Sequence, residues 1–208
     1  MEDVLDVYTW EYDPKHPQVC FDERPKQLIG EIRKPITPAR GRPARYDYEY
    51  KRNGLANIFM MFEPLVGKRY VKVTDRRTKK DWAQCMRQLV DNFYPKAKKI
   101  VLVMDNLNTH TKSSLYEVFE PVEAKRIADK LDIHYTPKHG SWLNMAEIEL
   151  SVMSRQCLAE RMGSEAHLES EALAWAKKRN GKGVKVDWRF NTADARIKLK
   201  KLYPLLQE

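Results

Sequence analysis

The sequence of 208 residues lacks the features that mark disulfide-rich, zinc-binding and membrane proteins. Its three cysteines, Cys20, Cys85 and Cys157, are scattered, without the paired spacing of a zinc site or a disulfide framework. No apolar run approaches the roughly 20 residues that cross a membrane. The acidic start, MEDVLDVYTWEYD, lacks the layout of a signal peptide. These absences predict an intracellular, cytoplasmic protein with reduced cysteines and no membrane partner.

The composition is that of a globular protein with an excess of positive charge. Hydrophobic residues make up 42% and charged residues 32% of the chain, which suits one folded domain with a real core. Lysine and arginine outnumber aspartate and glutamate by 38 to 29, a formal net charge of +9. This excess favours a polyanionic partner, most commonly a nucleic acid, although a basic enzyme without such a partner remains the alternative.

Hydrophobic periodicity predicts an early group of strands followed by alternating helices and strands. Thr78 has the position of an N-cap, and Pro121 interrupts a helical stretch. We expect strands at 18–21, 27–33 (the hairpin partner of the first), 55–65, 69–73, 99–103 and 132–136. We expect helices at 79–91, 112–131 and 144–161, with further helices after them. This order predicts an α/β fold, a mixed sheet flanked by helices.

A basic segment rich in proline and arginine separates the early strands. Pro35, Pro38 and Pro43 disfavour regular structure there. Its positive side chains lie among three tyrosines, a combination that suits phosphate contacts and base stacking. We interpret this segment, about 33–54, as an arm that binds DNA or a neighbouring subunit; a solvated connector is the alternative. The expected DNA-contacting side chains are Arg40, Arg42, Arg45, Lys51 and Arg52.

Asp105 follows the apolar run Ile100 to Met104, which is typical of a strand buried on both faces. Ligands of open α/β sheets gather beyond the carboxyl ends of such strands. A carboxylate at that position loses hydration unless a partner compensates it, and a cation is the usual partner. Asp105 is therefore a candidate metal ligand.

Two further carboxylates are candidates to join Asp105. Asp22 and Glu23 follow the first strand, and because side chains alternate along a strand, the two point to opposite faces, so that only one of them can join a site on the other strand. In the later helix, Glu147 and Glu149 are separated by about 200°. Met145, Ile148, Val152 and Met153 form an apolar arc centred near Glu149, so Glu147 is the better metal-side residue. Glu149 is expected to be structural, with a buried partner.

Three converging carboxylates repel one another, and divalent cations relieve that repulsion. Mg²⁺ prefers oxygen ligands and shares its coordination with phosphates, and a pair of such ions promotes in-line phosphoryl displacement. A single aspartate at a strand end is more often a cap or turn residue. We interpret Asp75, Asp81 and Asp187 in that way.

Three ordered motifs resemble the catalytic domain of bacterial insertion-sequence DDE transposases of the Tc/mariner superfamily. The motifs are VCFDERPKQL, VLVMDNLNTH and PKHGSWLNMAEIELSVMSRQCL, and the closing WRFNTADARIKLKKLYP, Trp188 to Pro204, also resembles that family. The resemblance implies a ribonuclease H-like fold and an acidic triad that binds two Mg²⁺ or Mn²⁺ ions. Carried over, the triad is Asp22, Asp105 and Glu147, with Met145 where the family pattern has proline.

The resemblance also implies partners and a domain organisation. DNA, as transposon ends and target, is the expected substrate, with a homodimer assembled on it, associated with a bacterial nucleoid. We expect one catalytic domain over 1–208, with a core at about 18–162 and a C-terminal helical segment at about 163–208. Family members usually carry an N-terminal helix-turn-helix region, for which the residues before Gln18 leave no room. We therefore expect a fragment, a split-gene product or a remnant, with any recognition helices on a separate chain.

Three residues near the acids have open roles. His110 is interpreted either as a residue that positions DNA or the attacking water, or as a capping or hydrogen-bonding residue. His139 and Trp142 lie in the loop before the Glu147 helix and could contact flanking DNA; packing of Trp142 under the active site is the alternative. Asn106 and Asn144 neighbour the acids and are expected to support them.

The sequence favours a transposase catalytic domain that performs metal-dependent DNA cleavage and strand transfer. One alternative is a non-catalytic DNA-binding or assembly remnant of a transposase. The other is a ribonuclease H-like nuclease that acts on RNA–DNA hybrids.

Overall fold

The computed structural model describes residues 1–203, so that Pro204, the last residue of the C-terminal motif, lies outside the described residues. Its centre is a five-stranded mixed sheet in the order β3-β2-β1-β4-β5. The strands are β1 (Gln18–Glu31), β2 (Tyr50–Glu63), β3 (Lys68–Thr74), β4 (Ile100–Met104) and β5 (Leu131–Tyr135).

The sheet combines an antiparallel half and a parallel half, and β1 belongs to both. β1 pairs antiparallel with β2, and β2 with β3. The β2–β3 turn contains Gly67, whose φ of 74° suits a residue without a Cβ. β4 pairs parallel with β1 on one side and with β5 on the other. The mixed sheet with flanking helices is the expected ribonuclease H-like α/β architecture.

The helices begin at the residues that capping chemistry favours. Thr78 caps its helix by accepting a hydrogen bond from the backbone N–H of Asp81, whose carboxylate accepts one from Thr78 in return. Pro121 occupies the first turn of another helix, where it needs no N–H partner. The helices are α1 (Glu2–Val7), α2 (Lys79–Gln88, extended by a π-helical turn at Leu89–Phe93), α3 (Lys112–Tyr116), α4 (Pro121–Lys130), α5 (Met145–Gln156), α6 (Glu165–Gly181) and α7 (Thr192–Lys198).

Two hydrophobic layers bury the two faces of the sheet. On one face, Cys20 and Val103 pack with apolar side chains of α1, α5 and α6. On the other, Phe21 and Leu102 pack with those of α2 and α4. Since successive residues of β1 and β4 alternate between these layers, the residues beyond each strand continue the alternation. This assigns Asp22 to the α5 side and Glu23 to the α2 side.

The main differences between the predicted and the observed elements concern β1, β2, α5 and α1. The predicted hairpin between 18–21 and 27–33 is wrong, because β1 is continuous and β2 is its partner, with a register shift at Leu28/Ile29. β1 tolerates Pro25 because β4 pairs only with Gln18, Val19 and Cys20 of β1. At Pro25 no strand among the described residues lies on the side away from β2, so the missing backbone N–H of proline costs no hydrogen bond there.

The other three differences concern element ends. β2 begins at Tyr50, inside the segment expected to lack regular structure. The long helix ends at Gln156 and not near 161. The N-terminal residues form α1, whose Val4, Leu5 and Val7 are buried in the core, although the expected core began near residue 18. No helix within the described part of the chain is long and apolar enough to span a bilayer.

The basic arm projects between β1 and β2 and has little regular structure. Two isolated bridges, Ile36 with Arg45 and Ala39 with Arg42, hold its two halves together. At its base, the guanidinium of Arg161 donates hydrogen bonds to Glu31 Oε2 at 2.7 Å and to the Asp47 carbonyl at 2.8 Å. The arm is therefore attached to the core at its base, while its outer residues are exposed.

Candidate active site

Parallel pairing of β1 with β4 brings Asp22 and Asp105 to the same edge of the sheet. Cys20 is opposite Val103 in the register, and each aspartate comes two residues later in its strand direction. Because side chains repeat every two residues, both aspartates face the side on which Cys20 and Val103 are buried. That is the side covered by α5.

The first turn of α5 carries Glu147, and Asn144 attaches that turn to β1. The Asn144 side chain accepts a hydrogen bond from the backbone N–H of Ala146 at 3.1 Å. Its amide group donates to the carbonyl of Phe21 at 2.8 Å, directly before Asp22. Asn144 therefore caps α5 and sets the position of Glu147 relative to Asp22, which is the supporting location expected for it. Asn106, by contrast, is exposed.

The three acids line one cleft of about 210 Å³, together with Arg24 and Ser141. Oε2 of Glu147 is buried there without a hydrogen-bond partner. Burial raises the pKa of Asp22 to about 7, and the nearby carboxylates Glu23, Asp105 and Glu147 add to that effect, while a hydrogen bond from the Glu23 N–H opposes it. The cleft therefore holds more negative charge than its own donors compensate.

The donor chemistry of this cleft suits a hard divalent cation, since all three acids offer carboxylate oxygens. Over residues 1–203, no three histidine, cysteine or acidic side chains are already close enough to enclose a metal ion. The uncompensated oxygen of Glu147 and the perturbed Asp22 are the observations that point to a cation.

His110 connects Asp105 to Glu23 on the other face of the sheet. Its Nδ1 lies 2.5 Å from Asp105 Oδ1, and its Nε2 lies 3.3 Å from Glu23 Oε2. Burial lowers the pKa of His110, but its contacts with Asp105 and Glu23 outweigh that effect and raise the pKa to about 9. With 1% of its surface exposed, His110 faces carboxylates and not the solvent. Of the two roles left open for His110, the structure thus gives it a hydrogen-bonding location beside Asp105.

Glu149 has the buried partners that its helical position predicted. Its Oε2 accepts a hydrogen bond from Arg69 Nε at 2.6 Å, and its Oε1 accepts one from Arg179 Nη2 at 2.8 Å. The Arg69 and Glu149 side chains are 0% and 2% exposed. Glu149 therefore links α5, β3 and α6, away from the cleft lined by Glu147.

Sequence reasoning missed Arg24, which lines the cleft beside the acids. Its Nη1 donates a hydrogen bond to Ser154 Oγ on α5 at 3.0 Å. Arg24 lies two residues after Asp22 in β1, so the same alternation that assigned Asp22 to this side could have identified it. The partner of Glu23, in contrast, had no signal in the local sequence.

The remaining predicted contact residues lie on accessible parts of the surface. His139 is exposed and has a φ of 63°, and it lines a cavity of about 420 Å³ next to Asp105. Trp142 is 43% exposed, packs against Trp188 and Phe190, and lines a cavity of about 370 Å³ together with Glu147. The arm residues are also exposed: Arg40, Arg42, Arg45, Lys51 and Arg52.

The family model described as DDE superfamily endonuclease matches residues 17–169 of this chain. Its matched range begins just before β1 and ends within α6, so it includes all three carboxylates. No protein among the curated proteins matches the chain at a significant level.

Solved structures with a similar fold include complexes of the Mos1 mariner transposase. The Mos1 paired-end complex with Mn has a TM-score of 0.57 and 15% identity, covering 87% of this chain and 55% of that one. The strand transfer complex has a TM-score of 0.54 and 14% identity, with 82% and 51% covered. A pre-cleavage Mos1 transpososome has a TM-score of 0.52 and 14% identity, covering 84% of this chain and 57% of that one. The chain thus spans about half the length of the Mos1 chains, and the similarity is one of fold.

Proposed function

Because the chain belongs to the DDE superfamily endonucleases and has the fold of a Tc/mariner-type transposase catalytic domain, we propose that it cleaves DNA and joins DNA strands by metal-dependent phosphoryl transfer. The observation that carries this proposal is the single cleft lined by Asp22, Asp105 and Glu147. Each comes from a different element, β1, the end of β4 and α5, and only the tertiary fold brings them together.

In the proposed site, Asp22, Asp105 and Glu147 hold two Mg²⁺ or Mn²⁺ ions through their carboxylate oxygens. When bound, such ions supply Lewis acidity, which activates water or a 3′-hydroxyl and stabilises the leaving oxygen of an in-line displacement. The protein's own part is to hold the carboxylates at one edge of a rigid sheet. His110 orients Asp105, and Asn144 orients the helix that carries Glu147.

The proposed substrate is DNA, as transposon ends and target. The exposed arginines and lysines of the arm provide positive charge for the phosphate backbone, and the arm tyrosines Tyr46 and Tyr48 are 64% and 86% exposed. His139 and Trp142 are proposed to contact flanking DNA from the loop beside the cleft. We further propose a homodimer assembled on DNA, with end recognition supplied by helix-turn-helix elements outside this chain, in a bacterial cytoplasm at the nucleoid.

A second candidate function is a DNA-binding assembly subunit without catalysis. The exposed arm favours it, because backbone binding requires the positive surface and not the acidic cleft. A nuclease acting on RNA–DNA hybrids is the third candidate, since it would use the same carboxylates.

Incubation of the purified protein with labelled duplex, transposon-end DNA and RNA–DNA hybrid, with and without Mn²⁺, separates these functions. We expect Mn²⁺-dependent cleavage of DNA by the wild-type protein and loss of at least 1,000-fold, about 4 kcal/mol of transition-state stabilisation, in Asp105→Ala. The matched control is Asp75→Ala, an exposed aspartate at the end of β3 that we expect to leave cleavage unchanged. Cleavage by Asp105→Ala at the wild-type rate contradicts the proposed site. Salt-sensitive binding without any cleavage supports the assembly subunit, and preference for the hybrid supports the third function.

A further inference from the structure

Glu23 is a buried acid that the proposed chemistry does not use. It follows Asp22 in β1 but points to the opposite face of the sheet, where its side chain is 3% exposed. A carboxylate in such a position is costly without a charged or hydrogen-bonding partner. Arg77 is 4.0 Å away with a side chain that is 56% exposed, which makes it a weak partner. His110 is equally buried, and its Nε2 lies 3.3 Å from Glu23 Oε2, so it is the nearer charged partner, in an ion-pair contact without hydrogen-bond geometry.

The ring of His110 is held in a fixed orientation by its packing. Phe21 and the His110 ring form a T-shaped pair with a centroid distance of 5.4 Å and an interplanar angle of 85°, and Trp82 stacks on the His110 ring at 6.1 Å. The Tyr135 hydroxyl donates a hydrogen bond to the backbone carbonyl of His110 at 2.8 Å. These contacts leave the ring little freedom to turn away from Asp105.

We propose that Glu23 and His110 are positioning residues that set the orientation of the Asp105 carboxylate, Glu23 acting through His110. The inference rests on the proposed function, because Asp105 is a metal ligand only if the cleft holds divalent cations. One oxygen of Asp105 is occupied by the His110 ring nitrogen, which leaves the other oxygen for the cleft. Asp22 and Glu23 point to opposite faces of the sheet and both act on the same site: Asp22 lines the cleft, and Glu23 contacts His110, which holds Asp105.

Residues that orient metal ligands through hydrogen bonds affect metal affinity and activity although they do not contact the metal. Their replacement typically costs about 10- to 100-fold in metal affinity or activity. A role in fold stability alone would lower the midpoint of unfolding without changing metal binding by the folded protein. Metal affinity therefore distinguishes a positioning role from a structural one.

Three variants test the two contacts separately. His110→Phe keeps a ring between Phe21 and Trp82 but removes both nitrogen contacts. His110→Asn retains an N–H group near the position of Nδ1, within reach of Asp105, and loses the reach to Glu23. Glu23→Gln keeps the size of the side chain and removes its charge. The matched control is Tyr94→Phe, which removes a 2.7 Å hydrogen bond to the carboxylate of Glu63 away from the cleft.

Mn²⁺ binding to each folded variant is measured by electron paramagnetic resonance of the free ion, alongside Mn²⁺-dependent DNA cleavage. We expect at least about 10-fold weaker Mn²⁺ binding and slower cleavage in His110→Phe, a loss of about 3- to 10-fold in Glu23→Gln, and partial recovery in His110→Asn. Tyr94→Phe should match the wild type in both measurements.

The outcomes separate this inference from the function on which it rests. Wild-type Mn²⁺ affinity and cleavage in Glu23→Gln and His110→Phe, with both lost in Asp105→Ala, overturns the positioning role alone. Retention of both by Asp105→Ala overturns the proposed metal site itself. If His110→Phe does not fold, Glu23→Gln decides the question, since unchanged Mn²⁺ affinity in that variant contradicts the inference.

Discussion

Replacing Asp22 with asparagine should stabilise the metal-free protein at neutral and alkaline pH. The reason is that burial and the neighbouring acids raise the pKa of Asp22 from 3.8 to about 7. Asparagine has nearly the same shape, carries no charge, and its side-chain oxygen can still accept the hydrogen bond that the backbone N–H of Glu23 donates at 2.8 Å. The substitution therefore removes an uncompensated charge without opening a cavity.

The size and the pH window follow from linkage between protonation and folding. Below about pH 4 the aspartate is protonated in both states, so its charge costs nothing. As the pH rises to about 7, the unfolded chain gives up its proton while the folded protein keeps it, and the free energy of unfolding falls. The rise in the pKa of Asp22 from 3.8 to about 7 is equivalent to a loss of about 4 kcal/mol in the free energy of unfolding once the carboxylate is charged in both states. Because some water reaches Asp22, we expect Asp22→Asn to gain about 2 kcal/mol at about pH 8.

Urea unfolding in the presence of a chelator, at about pH 4 and about pH 8, measures this difference. We expect the gain of Asp22→Asn at the higher pH only, and expect added Mn²⁺ to stabilise the wild type more than the variant. Asp75→Asn, with its side chain 73% exposed, is the control that should change little at either pH. An equal gain at both pH values, or none at the higher one, would refute the view that Asp22 is an uncompensated charge.

Three further variants, two single and one triple, have expected outcomes. Glu149→Gln removes the buried negative charge between Arg69 and Arg179 and one of its two acceptor oxygens, so it should lower the free energy of unfolding in urea by about 3 kcal/mol. A loss no larger than that expected for an exposed ion pair would contradict this prediction. Asn144→Ala removes the α5 cap and the Phe21 contact, so we expect a loss of about 2 kcal/mol together with slower DNA cleavage. Replacing three exposed arm arginines with glutamine should reduce the slope of log binding constant against log salt by about 2 to 3 without changing stability; an unchanged slope argues against the arm as a DNA contact. The arm arginines are Arg40, Arg42 and Arg45.

Local sequence patterns were sufficient to predict most of the helices and strands. The apolar run before Asp105 predicted β4, and the Thr78 cap predicted the start of α2. Helical angles separated Glu147 from Glu149, and the structure confirms the buried partner predicted for Glu149. These inferences succeeded because each depends on a period of 2 or about 3.6 residues within one element.

The features that sequence reasoning missed depend on contacts between residues far apart in the chain, which leave no pattern in the local sequence. The hairpin expected within 18–33 was wrong because β1 pairs instead with β2, which begins at Tyr50, 19 residues after β1 ends at Glu31 on the other side of the arm. The partner of Glu23 and the buried location of His110 likewise depend on which elements cross the sheet. No residue spacing in the sequence predicts that the His110 ring contacts both Glu23 and Asp105.

The sequence by itself determined that Asp22 and Glu23 point to opposite faces of their strand and that Glu147 and Glu149 lie on opposite sides of their helix, because side-chain direction repeats along each element. Only the tertiary structure decided that β1 and β4 run parallel, that α5 is attached beside Asp22 through Asn144, and that His110 lies behind Asp105. The physical reason is that a catalytic cleft is made of contacts between residues distant in the chain. Such contacts depend on the free energy of packing the whole sheet and its helices, which no single segment contains.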